Sequence, residues 1–126
     1  MARGKSVLVC DDDPLLLELL EFKLGARGYD VTRAQDGAEA MERLGESHPD
    51  VVVLDAMMPA LDGFEVLRRI KENETLSSIP VLMLTSRKEE QDIVTALEIG
   101  ASDYIVKPFN PDELVARLTR LVGKPG

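Results

Sequence analysis

The chain is poor in the residues that carry redox, metal-thiolate and imidazole chemistry: 126 residues hold one cysteine, one histidine and no tryptophan, with only two tyrosines and three phenylalanines. A lone Cys10 can close no internal disulfide and build no cysteine zinc site, and it fits a reducing compartment. The single histidine, His48, precedes Pro49 in a polar turn and reads as a surface-loop residue rather than a phosphohistidine. Long hydrophobic runs are also missing. The first residues, Met1 to Lys5, lead into only five apolar or small residues before three aspartates, too short for a signal-peptide core or a membrane span, so a cytoplasmic protein is expected. Basic residues are the minority, 15 Lys and Arg against 23 Asp and Glu, for a formal net charge of −8. Direct nucleic-acid binding needs a basic stripe that displaces counterions, and this balance argues against one.

What is present is ordinary globular material, 44% hydrophobic and 30% charged. The length suits a single domain over residues 1–126. No internal repeat, low-complexity tract or linker interrupts it, and Gly123-Lys-Pro-Gly126 reads as a stop or the start of a linker.

Five short runs read as strands: Val7 to Cys10, Tyr29 to Arg33, Val51 to Leu54, Val81 to Leu84 and Tyr104 to Val106. Four are apolar without alternation, as expected of parallel strands covered on both faces, whereas Tyr29 to Arg33 alternates and suits an edge. Five helical segments lie between and after them. Asp13-Pro14 pairs an N-cap with proline at the first helical position and opens a helix with Leu16, Leu20 and Leu24 on one face. Asp36, Asp62, Ser86 and Asn110 are each followed three residues on by a glutamate (Glu39, Glu65, Glu89, Glu113), the capping-box spacing or its Asx equivalent. Gly28 and Gly100 sit where left-handed caps would end helices. A β-α unit repeated five times predicts an α/β doubly wound parallel sheet with right-handed crossovers.

In such folds ligands bind beyond the carboxyl ends of the strands. The residues there are Asp11-Asp12-Asp13, Asp55, Thr85-Ser86 and Lys107-Pro108. Asp13 is explained by capping, but Asp11 and Asp12 cap nothing evident. Carboxylates gathered near Asp55 repel by roughly 4 kcal/mol per pair at about 4 Å and an effective dielectric near 20. Lys107 offsets part of this, and a divalent cation with oxygen ligands, Mg²⁺, suits the remainder. A carboxylate at Asp55 beside Mg²⁺ and an ammonium can attack phosphorus to give an aspartyl phosphate. Thr85 could donate to one phosphoryl oxygen while Lys107 neutralises another.

The segments Val7-Leu-Val-Cys-Asp-Asp-Asp-Pro14, Val53-Leu-Asp-Ala-Met-Met-Pro59, Asp62-Gly63, Val81-Leu-Met-Leu-Thr-Ser86 and Gly100-Ala-Ser-Asp-Tyr-Ile-Val-Lys-Pro-Phe109 resemble the receiver domain of two-component response regulators, the CheY-like family. The resemblance covers essentially the whole chain and implies a five-stranded flavodoxin-like sheet in the order 2-1-3-4-5. It implies that Asp55 is the phosphoacceptor, and that Asp11, Asp12, Asp55 and the backbone carbonyl of Met57 hold Mg²⁺. Thr85 and Lys107 then act on the phosphoryl group, and Tyr104 is the aromatic that moves inward with Thr85. By the same resemblance the Lys107-Pro108 bond is expected to be cis, and the donor is a phosphohistidine on a sensor histidine kinase or histidine phosphotransfer protein. The resemblance also implies that Met57 and Arg87, two residues after Asp55 and Thr85, flank the path of the hydrolytic water. Asp103, Glu113 and Arg117 resemble the charged residues through which receivers of winged-helix transcription factors dimerise, with an exposed Ile93 standing where those receivers have a basic partner for Glu113.

On this reading the chain is a signalling switch with self-phosphorylation and self-dephosphorylation, not an enzyme acting on an external substrate. A haloacid-dehalogenase-type Mg²⁺ phosphatase is the alternative, with Asp11 as nucleophile and Asp11-x-Asp13 as signature, against which Pro14 and the lack of a cap insertion speak. A flavin carrier of similar architecture is a third, disfavoured by three aspartates where the cofactor phosphate would sit. Cys10 reads as a small core residue, Arg68-Arg69-Ile-Lys71 as a solvated helix face, and Met57 and Met58 as loop packing.

Overall fold

The computed structural model describes residues 5–86 and 90–124. In chain order these form β1 (Ser6–Cys10), α1 (Pro14–Ala26), β2 (Asp30–Ala34), α2 (Gly37–Glu46), β3 (Val51–Asp55), α3 (Gly63–Glu72), β4 (Val81–Ser86), α4 (Glu90–Ile99), β5 (Asp103–Lys107) and α5 (Pro111–Val122). The five strands are parallel and lie in the order β2-β1-β3-β4-β5. The doubly wound architecture read from the sequence is therefore the fold, and every strand falls within two residues of its expected span.

The unbroken apolar runs of the central strands have a direct cause. Val7, Val9, Val51, Val53, Leu82 and Leu84 point into a core shared with Leu17, Leu20 and Leu24 of α1 and Leu114, Val115 and Leu118 of α5. The alternate residues Leu8, Cys10, Val52, Leu54, Val81 and Met83 point into a second core with Ala40 and Leu44 of α2, Val66, Leu67 and Ile70 of α3 and Ala96 of α4. With both faces covered, neither set can be polar. The edge strand β2 is mostly exposed, as its alternation foretells.

Helix starts follow the predicted caps, with one difference. Asp13, Asp36, Asp62 and Asn110 each accept a backbone N–H from the first turn. None of the described glutamates Glu39, Glu65 and Glu113 bonds the N–H of its own cap residue to complete the box. Glu39 accepts from Gln35 N–H and pairs with Arg43, Glu65 pairs with Arg68 and Arg69, and Glu113 pairs with Arg117. An arginine one turn on supplies a charged partner that a cap amide cannot match. The Ser86 cap lies partly outside the described residues, since Arg87 and Glu89 are not described. Gly28 closes α1 at φ 96° in a Schellman arrangement, with Tyr29 N–H on Leu24 C=O and Gly28 N–H on Gly25 C=O. Gly100 ends α4 at φ 133°.

Three burial expectations change. In α1 the buried leucines are Leu17, Leu20 and Leu24, while Leu16 is only partly buried and Leu15, Leu19 and Phe22 face outward. Lys71 is only half-exposed: its ammonium donates to the carbonyls of Ser77 and Ile79, while Arg68 and Arg69 are exposed as expected. Met58 packs in the core but Met57 is 64% exposed. Cys10 is fully buried, and burial, then the charge of Asp11, pushes its thiol pKa up, so it stays protonated. Among the described residues no helix is long and apolar enough to cross a membrane.

Candidate functional site

The parallel register brings four strand ends to one edge. Asp55 closes β3 opposite Leu84, Thr85 pairs with Val106 across β4 and β5, and Lys107 ends β5. Asp11 follows β1 and ties it to β2 through its N–H on Ala34 C=O at 3.1 Å. Three groups here are buried and polar, Asp11, Asp55 and Thr85, in a protein whose buried residues are otherwise apolar among those described. Burying such groups costs free energy unless each finds a partner, so their partners define the site.

Asp11 has partners at both oxygens: Oδ1 accepts Asp13 N–H at 2.9 Å and Oδ2 accepts Lys107 Nζ–H at 2.8 Å. Asp55 is less satisfied. Its Oδ1 accepts Met57 N–H at 3.2 Å and its Oδ2 stands 3.5 Å from Lys107 Nζ. Burial, reinforced by the Asp11 charge and only partly offset by Lys107, pushes the Asp55 pKa up to about 6. Burial alone would lower the Lys107 pKa, but its bond to Asp11 and the charges of Asp55 and Asp11 turn the shift upward. Carboxylate oxygens of Asp11, Asp12 and Asp55 all lie within 4.8 Å of one another, and Asp12 is the exposed member. One ammonium thus pairs with two of three clustered carboxylates. Oxygen-only donors, excess negative charge and an open side at Asp12 fit a small hard cation.

Thr85 adds an orphan. Its Oγ1 is buried without a hydrogen-bond partner, the only such side-chain atom among the described residues. A hydroxyl left so at the same strand ends as Asp55 and Lys107 lacks the acceptor it could serve.

The structure brings Asp11, Asp12, Asp55 and Lys107 together as the sequence anticipates, with Met57 two residues beyond Asp55. Tyr104 lies on β5 beside Met83, half-buried against the α2–α4 core. Lys107-Pro108 is cis. Asp13, the second aspartate of the phosphatase alternative, is committed to capping α1. On the α4–β5–α5 face the structure corrects the expected exposure: Ile93 is half-buried, and the apolar residues turned outward are Val94 and Leu97. Arg117 binds Asp103 at 3.2 Å and Glu113 at 3.1 Å within the same chain.

One feature escaped the sequence. Leu15, Leu19 and Phe22 form an exposed apolar stripe on α1, the helix that Asp11 to Asp13 lead into, and Met57 is exposed on the loop after β3. Leucines at five of the positions 15–20 hide which of them face out, and the only local signal was the i, i+4, i+7 spacing of Leu15, Leu19 and Phe22.

The family model for the response regulator receiver domain matches residues 7–119. The alkaline phosphatase synthesis transcriptional regulatory protein PhoP of Bacillus subtilis is 43% identical over 119 residues, covering 94% of this chain and 49% of that protein. The phosphate regulon transcriptional regulatory protein PhoB of Pseudomonas aeruginosa is 39% identical over 123 residues, covering 98% of this chain and 54% of that protein. The chain thus spans about half the length of these curated relatives. Among solved structures, a response regulator from Chloroflexus aurantiacus superposes with a TM-score of 0.91 at 34% identity, covering 97% of this chain and all of that one. The receiver domain of a sensor histidine kinase from Pseudomonas aeruginosa, with a magnesium ion coordinated in its active-site cleft, gives 0.86 at 31% identity, covering 96% and 99% of the two chains.

Proposed function

Because this chain belongs to the response regulator receiver domain family, we propose that it is a phosphorylation-controlled switch in which Asp55 accepts a phosphoryl group from a phosphohistidine. The donor is a sensor histidine kinase or a histidine phosphotransfer protein. The observation that carries this reading is the meeting of Asp11, Asp12, Asp55 and Lys107 at the strand ends that also hold the unpartnered Thr85 hydroxyl.

Asp55 attacks phosphorus through a carboxylate oxygen, an O–P bond forms, the N–P bond breaks, and its electron pair leaves with the imidazole. Asp11, Asp12, Asp55 and the Met57 carbonyl would hold Mg²⁺, which would supply charge stabilisation to the transferring group, and the magnesium ion coordinated in the Pseudomonas receiver's cleft supports this reading. Lys107, already on this edge, pairs with the phosphoryl oxygens, and Thr85 donates to another. Tyr104 follows Thr85 inward and alters the α4–β5–α5 face, the bistable element that the phosphoryl group biases. Water later hydrolyses the acyl phosphate, and no external substrate is turned over.

The exposed stripe of Leu15, Leu19 and Phe22 with Met57 offers the phosphodonor an apolar docking rim. The altered face serves an output partner or a homodimer through Asp103, Glu113 and Arg117, with Val94 and Leu97 in place of Ile93 as its apolar part. In the cytoplasm the chain is the regulatory input, and its net charge of −8 leaves contact with nucleic acid to other parts of a full-length regulator.

Incubation with phosphoramidate and Mg²⁺ tests the reading. The wild type is expected to gain one acid-stable, base-labile phosphoryl group, and Asp55→Asn almost none. Equal labelling of both proteins overturns the assignment.

A further inference from the structure

The loop that follows Asp55 is held by two backbone contacts that only glycine permits. At its end, Gly63 N–H bonds Ala56 C=O at 3.0 Å, and a Cβ on Gly63 would overlap the Asp55 carbonyl oxygen. On its outer side, the buried Gly37, first residue of α2, lies so close to Leu61 that a Cβ there would overlap the Leu61 carbonyl. These are contacts with backbone atoms, which cannot swing aside as the tip of a side chain can.

Between the two contacts runs a strained turn. Leu61 N–H bonds Pro59 C=O at 2.9 Å around Ala60, whose φ of 69° is the only positive value for a non-glycine among the described residues. A three-residue turn of this hand is the rare, strained γ form, in which a Cβ is crowded against the backbone. Such a conformation persists only where its surroundings over-determine it. Leu61 is fixed here on both sides: its side chain packs against the α2–α4 core and its carbonyl is seated on Gly37. The other end of the same loop carries Met57, whose N–H holds Asp55 Oδ1.

We propose that Gly37 is a positioning residue for the phosphoacceptor site, with the first turn of α2 seating the Leu61 carbonyl and, through the Pro59–Leu61 turn, fixing the Met57 peptide against Asp55. Gly37 touches neither the cation nor the phosphoryl group and acts only through the loop. The inference rests on the assignment of Asp55 and Met57 to the Mg²⁺ site. A glycine retained merely for packing would, on substitution, cost stability and leave cation affinity alone.

The test measures Mg²⁺ affinity by titration calorimetry, the Met57 amide resonance by NMR and stability by urea unfolding, in the wild type, Gly37→Ala, Ala60→Gly and the double variant. Gly37→Ala is expected to weaken Mg²⁺ binding roughly tenfold, the lower end of what loss of a group supporting metal ligands costs. The Met57 amide should shift with it. Adding Ala60→Gly should restore at least half of the lost affinity, because a relaxed turn lets the Leu61 carbonyl move aside. A folded Gly37→Ala protein with wild-type affinity and an unmoved Met57 amide overturns the proposal. Should Gly37→Ala fail to fold, Ala60→Gly alone decides: weaker Mg²⁺ binding in a more stable protein supports the coupling, and unchanged binding refutes it. A wild type that binds no Mg²⁺ refutes the assignment of the site itself rather than the coupling.

Discussion

Lys107 bonds Asp11 at 2.8 Å and stands 3.5 Å from Asp55, so the ammonium is committed first to the carboxylate that is fully buried and only second to the one placed to react. The arrangement satisfies both oxygens of Asp11 and leaves Asp55 short of compensation. It also sets Lys107 within a small movement of any anionic group added to Asp55.

Lys107→Ala should therefore act on the resting protein as well as on the switch. Removing one partner of a buried pair strands the other, a loss of about 3 kcal/mol in comparable cases. Urea unfolding without Mg²⁺ should show a loss of this order, and Asp55 should titrate above its wild-type value because its one counter-charge has gone. Phosphorylation by phosphoramidate should persist, with smaller chemical-shift changes on the α4–β5–α5 face than in the wild type. A variant as stable as the wild type contradicts the role given to the Asp11 pair.

The pH dependence of stability follows from Asp55. Its pKa is raised from 3.8 to about 6, so the folded protein holds this proton more tightly than the unfolded chain does. For an acid shifted in this direction the contribution is destabilising, fully present above about pH 6 and absent below about pH 4, worth about 3 kcal/mol at most. In EDTA at pH 7.5, Asp55→Asn should be more stable than the wild type, and the difference should shrink as pH falls through this window. A difference that stays constant between pH 7.5 and 4.5 would show that Asp55 is not the strained group.

Mg²⁺ should reverse that penalty by linkage. A ligand of the native state at 100 times its Kd adds about 2.7 kcal/mol. The wild-type Tm should rise accordingly with added Mg²⁺, and Asp12→Ala should remove most of the rise while relieving repulsion in the metal-free protein. An undiminished Mg²⁺ response in Asp12→Ala would move the cation elsewhere.

The sheet and its edge were legible because they rest on short-range rules. Apolar runs such as Val51 to Leu54, bounded by caps and glycines, admit few alternatives, and Asp55 ending such a run can only leave the sheet at the ligand edge. What stayed hidden depends on which side of a helix meets the core. In α1 the leucines at 15, 16, 17, 19 and 20 surround the axis, and only the docking of the helix on β1, β2 and α5 selects Leu17, Leu20 and Leu24 for burial. Ile93 was misplaced for the same reason, since α4 buries Ala96 and leaves Val94 and Leu97 outside. Glu39, Glu65 and Glu113 went to arginines, because a side chain one turn away competes with the cap and the sequence pattern does not rank the two.

The α4–β5–α5 face yields a further expectation. Arg117 is already bound to Asp103 and Glu113 in its own chain, so dimerisation through these charges requires a rearranged network rather than free partners. Val94→Glu should abolish a homodimer formed with beryllofluoride and Mg²⁺, and Arg117→Glu should weaken it, while the metal-free monomers stay folded. Sedimentation showing only monomer for the activated wild type at high micromolar concentration would assign the face to a different partner.

The most direct test locates the phosphoryl group. Treating the phosphorylated protein with borohydride reduces an aspartyl phosphate to homoserine, which peptide mass spectrometry places in the sequence. The account predicts homoserine at position 55 and at no other aspartate. Homoserine at position 11, with Asp55 unmodified, would contradict it and return the phosphatase reading of the Asp11 segment.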